Sequence, residues 1–414
     1  MINTVEEKVL DYVDVYRDDI VSLMQKIVQI PSVTGEEGEI GRFLLDEVKK
    51  FGLDDVRIIQ RSIDRPNVLA RYKGTEGKTS ITVYAHYDTV PAGDIMKWVH
   101  GPFSGTIEDG KIYGRGVSDH KFPIPPLLYA VKAIKEAGVR LKGDIVFAFV
   151  CDEERGGHQG MKYIVDEGHC DTNYLLYSGG GRDGRKIGIA ANGRAYLRIT
   201  VRGHTAHTGR NDQGINAAVK AMKLIARLQE LREDVNNRRD KFRSGDFEIE
   251  GKGRLSINLV DAYLTGNNVP DSCIVQIDRR FIPQVESFES IQSEIQDIVD
   301  SLKSEDLEFD ATVEFVPERW FNPSVSKIDP VLVGALQGSV SKVLDFTPEI
   351  NKAVGGGSSD NAWFNLKYPD RAFVSYGYGR GGNAHTYNEY VTIDGLIDNT
   401  KIYALFLMDL LGTA

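Results

Sequence analysis

Four short stretches of the chain carry residue types that hold metals and move protons. His86 and Asp88 stand two apart at the end of the run Ile81 to Ala85, which alternates with Thr82 and Tyr84. In an extended chain, side chains at i and i+2 share a face, so an imidazole and a carboxylate are presented side by side. Such a pair suits a metal ligand and the carboxylate that orients it, although a plain hydrogen-bonded pair has the same spacing. Gly114-Arg115-Gly116-Val117-Ser118-Asp119-His120-Lys121 offers Asp119 from a glycine-containing turn just before a helix, where a helix cap also accounts for it. Asp152, Glu153 and Glu154 follow the apolar run Asp144 to Val150. Consecutive carboxylates at a buried strand end repel one another unless a positive charge lies between them, and a divalent cation meets that need; a solvated loop is the alternative. Gly382 to Glu389 offers His385 from a glycine-rich loop. Two histidines and three separate acidic positions, each behind a strand or glycine signal, together fit a mixed imidazole and carboxylate metal site.

Such residues must be positioned by strands that end near one another. Strand signals fall at Val56 to Gln60, Asn67 to Tyr72, Ser80 to His86, Asp144 to Val150, Tyr174 to Tyr177 and Arg371 to Ser375. Helical spacing runs through residues 5 to 29 as one element. Thr34 with Glu37 reads as a capping box for a helix to Phe51. Further helices are expected at Leu127 to Glu136, Met161 to Asp166, Pro330 to Leu344 and Ile393 to Leu411. Strands alternating with helices predict an α/β fold with a mostly parallel central sheet and helices on both faces. Ligands of such sheets bind at the carboxyl ends of the strands, where His86 and Glu153 stand.

The pattern changes near residue 190. Arg194 to Arg202 alternates as a strand covered on one face does, and a helix over Ile215 to Arg232 follows. Glu233 to Gly253 is highly charged and reads as an exposed loop. Strands at Arg254 to Val260 and Cys273 to Phe281 precede a helix from Ser287 to Leu302. The reading is a domain of residues 1–190 and 317–414 that carries the metal site, interrupted by an α+β domain of residues 191–316.

The chain has 414 residues, is 41% hydrophobic and 27% charged, and carries a net charge of -10. Two domains are the expectation at this length. The acidic balance argues against nucleic acid or an anionic membrane as partner. Cys151, Cys170 and Cys273 are widely spaced and odd in number, so no disulfide framework is expected and a reducing cytoplasm fits. The N-terminal stretch lacks an apolar signal core, and no run approaches a membrane span. A serine hydrolase is disfavoured, because no Gly-x-Ser-x-Gly elbow occurs.

His86-Tyr87-Asp88-Thr89-Val90-Pro91, the Gly-Arg-Gly-x-x-Asp-x-Lys of 114–121, Asp152-Glu153-Glu154 with its glycines, and Ala384-His385-x-x-Asn388-Glu389 resemble the dinuclear zinc amidohydrolase family. That family includes acetylornithine deacetylase, succinyl-diaminopimelate desuccinylase, aminoacylases, carnosinase-like dipeptidases and a glutamate-releasing carboxypeptidase. The resemblance spans essentially the whole chain, and implies that the interrupting domain is a lid. It implies that His86 binds one metal and is oriented by Asp88, that Asp119 bridges two metals, and that Glu154 and His385 bind the other. Glu153 would be the general base. His207 of Gly203-His204-Thr205-Ala206-His207 would stabilise the oxyanion, across the interface of a homodimer paired through the lid. Asn267 and Arg280 would bind substrate, beside the loop Gly355 to Asp360. The implied activity is cleavage of an amide in an N-acyl amino acid or short peptide by metal-bound hydroxide. Zinc is the implied ion, with cobalt or manganese as substitutes, one or two per chain.

Two positions depart from the family pattern. His120-Lys121-Phe122 follows the bridging Asp119 where Lys-Gly is common. Ser178-Gly179-Gly180-Gly181 stands where family members carry a carboxylate ligand, and Asp183 is the next acid. A serine hydroxyl is a weak ligand, so the expectation is one tight ion beside Glu153 and a weak or empty position at His86, unless Asp183 folds back to replace the carboxylate. The same departure raises the alternative of a catalytically weak member that binds a ligand or partner in the same cleft.

Overall fold

The computed structural model describes residues 2–179, 183–262, 266–379 and 381–414. The chain forms two compact units. The first is Met1–Ile189, Ser326–Asn351 and Trp363–Ala414; the second is Ala190–Val325 and Lys352–Ala362. The strand Asp310–Phe321 runs unbroken through position 317.

The first unit is built on a six-stranded sheet. From one edge the order is Asp54–Ile59, Asn67–Tyr72, Asp144–Val150, Ser80–His86, Tyr174–Tyr177 and Ala372–Ser375. The last four are mutually parallel, and the two N-terminal strands run antiparallel at the edge. The mostly parallel sheet expected from the alternation of strands and helices is therefore present. Ile81, Val83, Ala85 and Ile145 through Val150 are almost fully buried, because helices leave no solvent face to a parallel strand. Helices Thr4–Val15, Ile124–Glu136, Pro330–Val343 and Ile393–Leu411 pack together in this unit. Parallel pairing brings the carboxyl ends of Ser80–His86 and Asp144–Val150 level, with His86 opposite Val150. The residues just beyond these two ends are the proposed chemistry.

Three local expectations change. The N-terminal helix is two, Thr4–Val15 and Arg17–Gln29, broken at Tyr16, whose ring is held between Tyr12 and Tyr129. No capping box forms at Thr34 and Glu37. Helix Gly38–Lys49 has no side-chain cap, because the Thr34 hydroxyl donates to Asp88 Oδ2 (2.8 Å) and Glu37 accepts from Gly35 N and Arg65. Both side chains are spent on the neighbourhood of the site. Third, residues 233–253 are not a loop. Helix Ala217–Asn237 continues into them, and Arg239–Ser244 pairs with Phe247–Lys252 as a hairpin. Phe242, Ser244 and Ile249 point inward while charged neighbours point out, so the strand period is hidden by the charge density.

The second unit is α+β. Its antiparallel sheet has the order Arg254–Asp261, Ser272–Phe281, Gly193–Arg202 and Asp310–Phe321. Ala195, Leu197, Ile199, Val201, Val275 and Ile277 alternate onto one face, where Leu224, Leu228, Ile291 and Ile295 of two helices cover them. Among the described residues, no helix is long and apolar enough to cross a membrane.

Candidate metal centre

His86 is the last residue of its strand and is 1% exposed. Its Nδ1 lies 3.2 Å from the Asp88 carbonyl and 3.4 Å from Asp88 Oδ1. Both are acceptors, so Nδ1 carries hydrogen and Nε2 is the nitrogen left to face Asp119. Asp88 is fully buried and also accepts from Thr34 Oγ1, Glu153 N (3.0 Å) and Glu154 N (3.2 Å). One carboxylate thus orients the imidazole and the backbone of the two following acids together. Burial alone would raise its pKa, but His86, Thr34 and the Glu154 N–H hold it below the usual carboxylate value.

Asp119 lies between two imidazoles. Its Oδ1 is 3.4 Å from His86 Nε2 and its Oδ2 is 3.4 Å from His385 Nε2. Glu389 fixes the turn that carries it. One Glu389 oxygen accepts from Arg115 Nη1 (2.8 Å) and Gly116 N (3.0 Å), the other from Ser118 N (2.8 Å) and Asp119 N (2.9 Å). Glu389 is completely buried, so all four donors depend on it. Gly116 has a positive φ of 79°, and a Cβ there would come within 2.3 Å of Thr89, which explains the glycine. Lys121, also buried, donates to the carbonyls of Ile27 and Ile30 and so pins the far end of the turn to the second helix.

Asp152 follows strand Asp144–Val150 in left-handed conformation, with φ 72°. Its oxygens accept from Arg65 Nη2 (2.6 Å) and Gln159 N (2.9 Å). That turn presents Glu153 and Glu154. Glu153 Oε2 is 3.9 Å from His86 Nε2. Glu154 Oε1 is 2.8 Å from His385 Nε2. Ligand atoms of Asp119, Glu154 and His385 all lie within 4.8 Å of one another.

The electrostatics ask for a cation. Asp119 and Glu154 push His385 up to about 10. Burial opposes the charged form of His86, yet Asp119, Asp88 and Glu153 hold its pKa well above the ordinary value. Imidazoles ringed by carboxylates favour a positive charge between them, either a proton or a metal ion. Two carboxylates and one imidazole converging on a common point suit a divalent transition metal. The residues present therefore fit one.

His86, Asp88, Asp119, Glu153, Glu154 and His385 are all in the first unit and are brought together there. His207, Asn267 and Arg280 lie in the second. His207 is exposed, and its Nδ1 accepts from Gly209 N (3.0 Å), so its Nε2 carries hydrogen and is a donor. The backbone of Asn267 meets the same turn, accepting from Thr208 N. Arg280 makes a two-pronged ion pair with Asp278 and also donates to Ser358 Oγ (2.8 Å) and the Gly356 carbonyl. Asp183 is exposed, accepts from Arg185 N and bridges the backbone of Tyr378; it is not part of the converging group Asp119, Glu154 and His385. Gly180 and Gly181, in the stretch noted as departing from the family pattern, lie outside the described residues. Sequence reasoning missed the parts played by Glu389, Arg65 and Thr34. Glu389 stood inside a quoted motif, but its partners are some 270 residues away, and no local pattern marks it.

The profile of peptidase family M20/M25/M40 matches residues 82–409. The succinyl-diaminopimelate desuccinylase of Blochmanniella floridana is 27% identical over 354 residues, covering 83% of this chain and 87% of that one. Among solved structures, the yeast di-peptidase Dug1p superposes with a TM-score of 0.81 at 19% identity, covering 99% of both chains. YXEP of Bacillus subtilis, described as a dinuclear metal binding peptidase, superposes with a TM-score of 0.65 at 16% identity, covering 97% of this chain and 100% of that one.

Proposed function

The chain belongs to peptidase family M20/M25/M40 and is a metal-dependent hydrolase, and on that footing we propose that it cleaves the amide bond of an N-acyl amino acid or a short peptide. One observation carries the reading: the Asp119 carboxylate stands between two imidazoles, with Glu154 on one of them and Glu153 beside the other. We assign His86, Asp119, Glu154 and His385 as metal ligands, with zinc as the ion and cobalt or manganese as substitutes. A divalent metal there supplies a polarised carbonyl and a water acidic enough to be deprotonated near neutral pH.

The protein's own residues do the rest. Asp88 holds the His86 ring and the backbone of Glu153 at once, so the ligand and the base keep a common geometry. Glu153 takes a proton from the attacking water and returns it to the leaving amine. The Nε2–H of His207 donates to the oxyanion, a role its Gly209 contact supports by fixing the tautomer. Arg280, aimed by Asp278, and Asn267 bind the substrate's free carboxylate end. The hydrolase names of relatives do not favour a binding-only protein.

Two further assignments rest on single features. Three buried, unpaired cysteines support a reducing compartment, hence the cytoplasm. A homodimer through the second unit is supported by its edge strand Arg254–Asp261, where Leu259 and Val260 are 43% and 54% exposed. Sedimentation would test it, a fully active monomer being the contrary result. The activity itself is tested by a panel of N-acetyl and N-succinyl amino acids, dipeptides and N-acyl glutamates with added zinc, cobalt or manganese. Turnover of at least one class is expected. Tight binding without turnover anywhere in the panel would overturn the reading.

A further inference from the structure

We infer that the two sides of Asp119 hold metal unequally, with one tight ion at Asp119, Glu154 and His385 and a weak, exchangeable one beside His86. This rests on the proposed function and goes beyond it, because YXEP is described as dinuclear without distinction between its sites.

The Oδ2 side of Asp119 has a full set. Asp119, Glu154 and His385 form, among the described residues, the one group of three that converges within 4.8 Å. Three protein ligands with an open position are what a catalytic divalent ion requires. The Oδ1 side has His86, whose Nε2 lies 3.4 Å from Oδ1, and Glu153, whose Oε2 lies 3.9 Å from that same nitrogen. Glu153 is committed to proton transfer, and a carboxylate bound firmly to metal is a poor base.

The neighbouring strand, at whose end the family pattern expects a carboxylate, offers no third ligand on that side. Tyr174–Tyr177 runs parallel to Ser80–His86, with Tyr84 opposite Tyr177 and their rings stacked at 5.0 Å. Two residues further on, the same register sets Gly179 level with His86 and on its face. Gly179 has no side chain, and the space for one is taken. A Cβ built there would lie 2.6 Å from the Tyr177 ring and 2.8 Å from His120 Nε2. The His120 ring stacks on His86 at 5.1 Å. Its Nε2 is 3.1 Å from the Ser178 carbonyl, which can only accept, so that nitrogen carries hydrogen and has no lone pair for a metal. Ser178 follows the end of the strand, and its hydroxyl is neutral, a weak ligand beside a carboxylate or an imidazole. Among the described residues, the His86 side is thereby left with an imidazole and a shared carboxylate.

Metal content decides this without any substrate. The purified protein is dialysed exhaustively against metal-free buffer and its zinc measured by plasma emission, then titrated with Co²⁺ and followed by visible absorption. One retained equivalent per chain is expected, with a second taken up at least about tenfold more weakly, within the range that a change in ligand surroundings produces. His86→Ala keeps the retained equivalent and loses the weak phase; His385→Ala loses the retained equivalent, each with circular dichroism matching the parent. Two retained equivalents, or an equivalent lost in His86→Ala and kept in His385→Ala, overturns the inference and leaves the hydrolase reading standing. No retained metal also overturns it, and if no added metal then supports hydrolysis the proposed function falls as well.

Discussion

Replacing Glu389 by Gln should unfold much of what holds Asp119 in place, although Glu389 is not a proposed ligand. The carboxylate accepts four bonds, two on each oxygen. In Gln one oxygen becomes an NH₂, and either orientation turns that group towards two donors. If it faces Arg115, a guanidinium only 3% exposed loses its counter-ion. If it faces Ser118 and Asp119, two backbone N–H groups go without a partner, and Arg115 still loses the charge. Removing one member of a buried ion pair costs about 3–5 kcal/mol. A stranded backbone donor costs about 1–3 kcal/mol, and the two are not additive. We expect a net loss of about 4 kcal/mol, a large part of the roughly 5–15 kcal/mol that holds a domain folded. Urea unfolding of the metal-free protein measures it, read from the shift in midpoint at constant slope. A double-mutant cycle with Arg115→Met isolates the pair, and a coupling of about 2 kcal/mol or more is expected. A Glu389→Gln protein within about 0.5 kcal/mol of wild type would refute the reasoning, since surface substitutions alone stay in that range.

Two predictions concern other parts of the site. Chelation should abolish hydrolysis, and zinc, cobalt or manganese should restore it; failure of every divalent ion in a protein that remains folded by circular dichroism would contradict the ligand assignment. Burial and the nearby Asp88 charge push Glu37 up to about 7 despite Arg65. A folded pKa above the ordinary 4.5 means that the native state binds the extra proton. The stability from Glu37 is thus fully present below pH 4.5 and lost as pH rises through about 7, a change of about 3 kcal/mol. Glu37→Gln should therefore gain on wild type as pH rises from 4.5 to 7 in parallel urea melts, and a pH-independent difference would contradict the environment assigned to Glu37.

The central strands were legible because their signal is local. Ser80–His86, Asp144–Val150 and Tyr174–Tyr177 are apolar runs that end where they look as though they end. The spacing of His86 and Asp88 and the tandem acids 152–154 announced themselves in the same way. What stayed hidden depends on distant partners. Thr34 and Glu37 have the spacing of a capping box, and only the folded chain shows that Asp88 and Arg65 claim their side chains. Glu389 is one acid among sixty until four donors converge on it. The hairpin Arg239–Ser244 and Phe247–Lys252 was masked because inward residues such as Phe242 and Ile249 are outnumbered by charges. The twelve-residue strand Asp310–Phe321 gave no clear alternation, its mixed exposure reflecting a sheet edge with a register shift between Ala195 and Leu197 on its partner.

The measurement that bears most directly on the account is turnover by Glu153→Gln, on the best substrate of the panel, with metal content determined on the same sample. Glu153 is buried and lies 3.9 Å from His86 Nε2 without being among the three converging residues Asp119, Glu154 and His385. The substitution keeps its shape and removes its ability to take a proton. Metal content and fold should match wild type while kcat falls by about 100-fold or more, the share a positioned general base supplies. Undiminished hydrolysis with full metal would contradict the assignment of Glu153 as the base and the mechanism built on it.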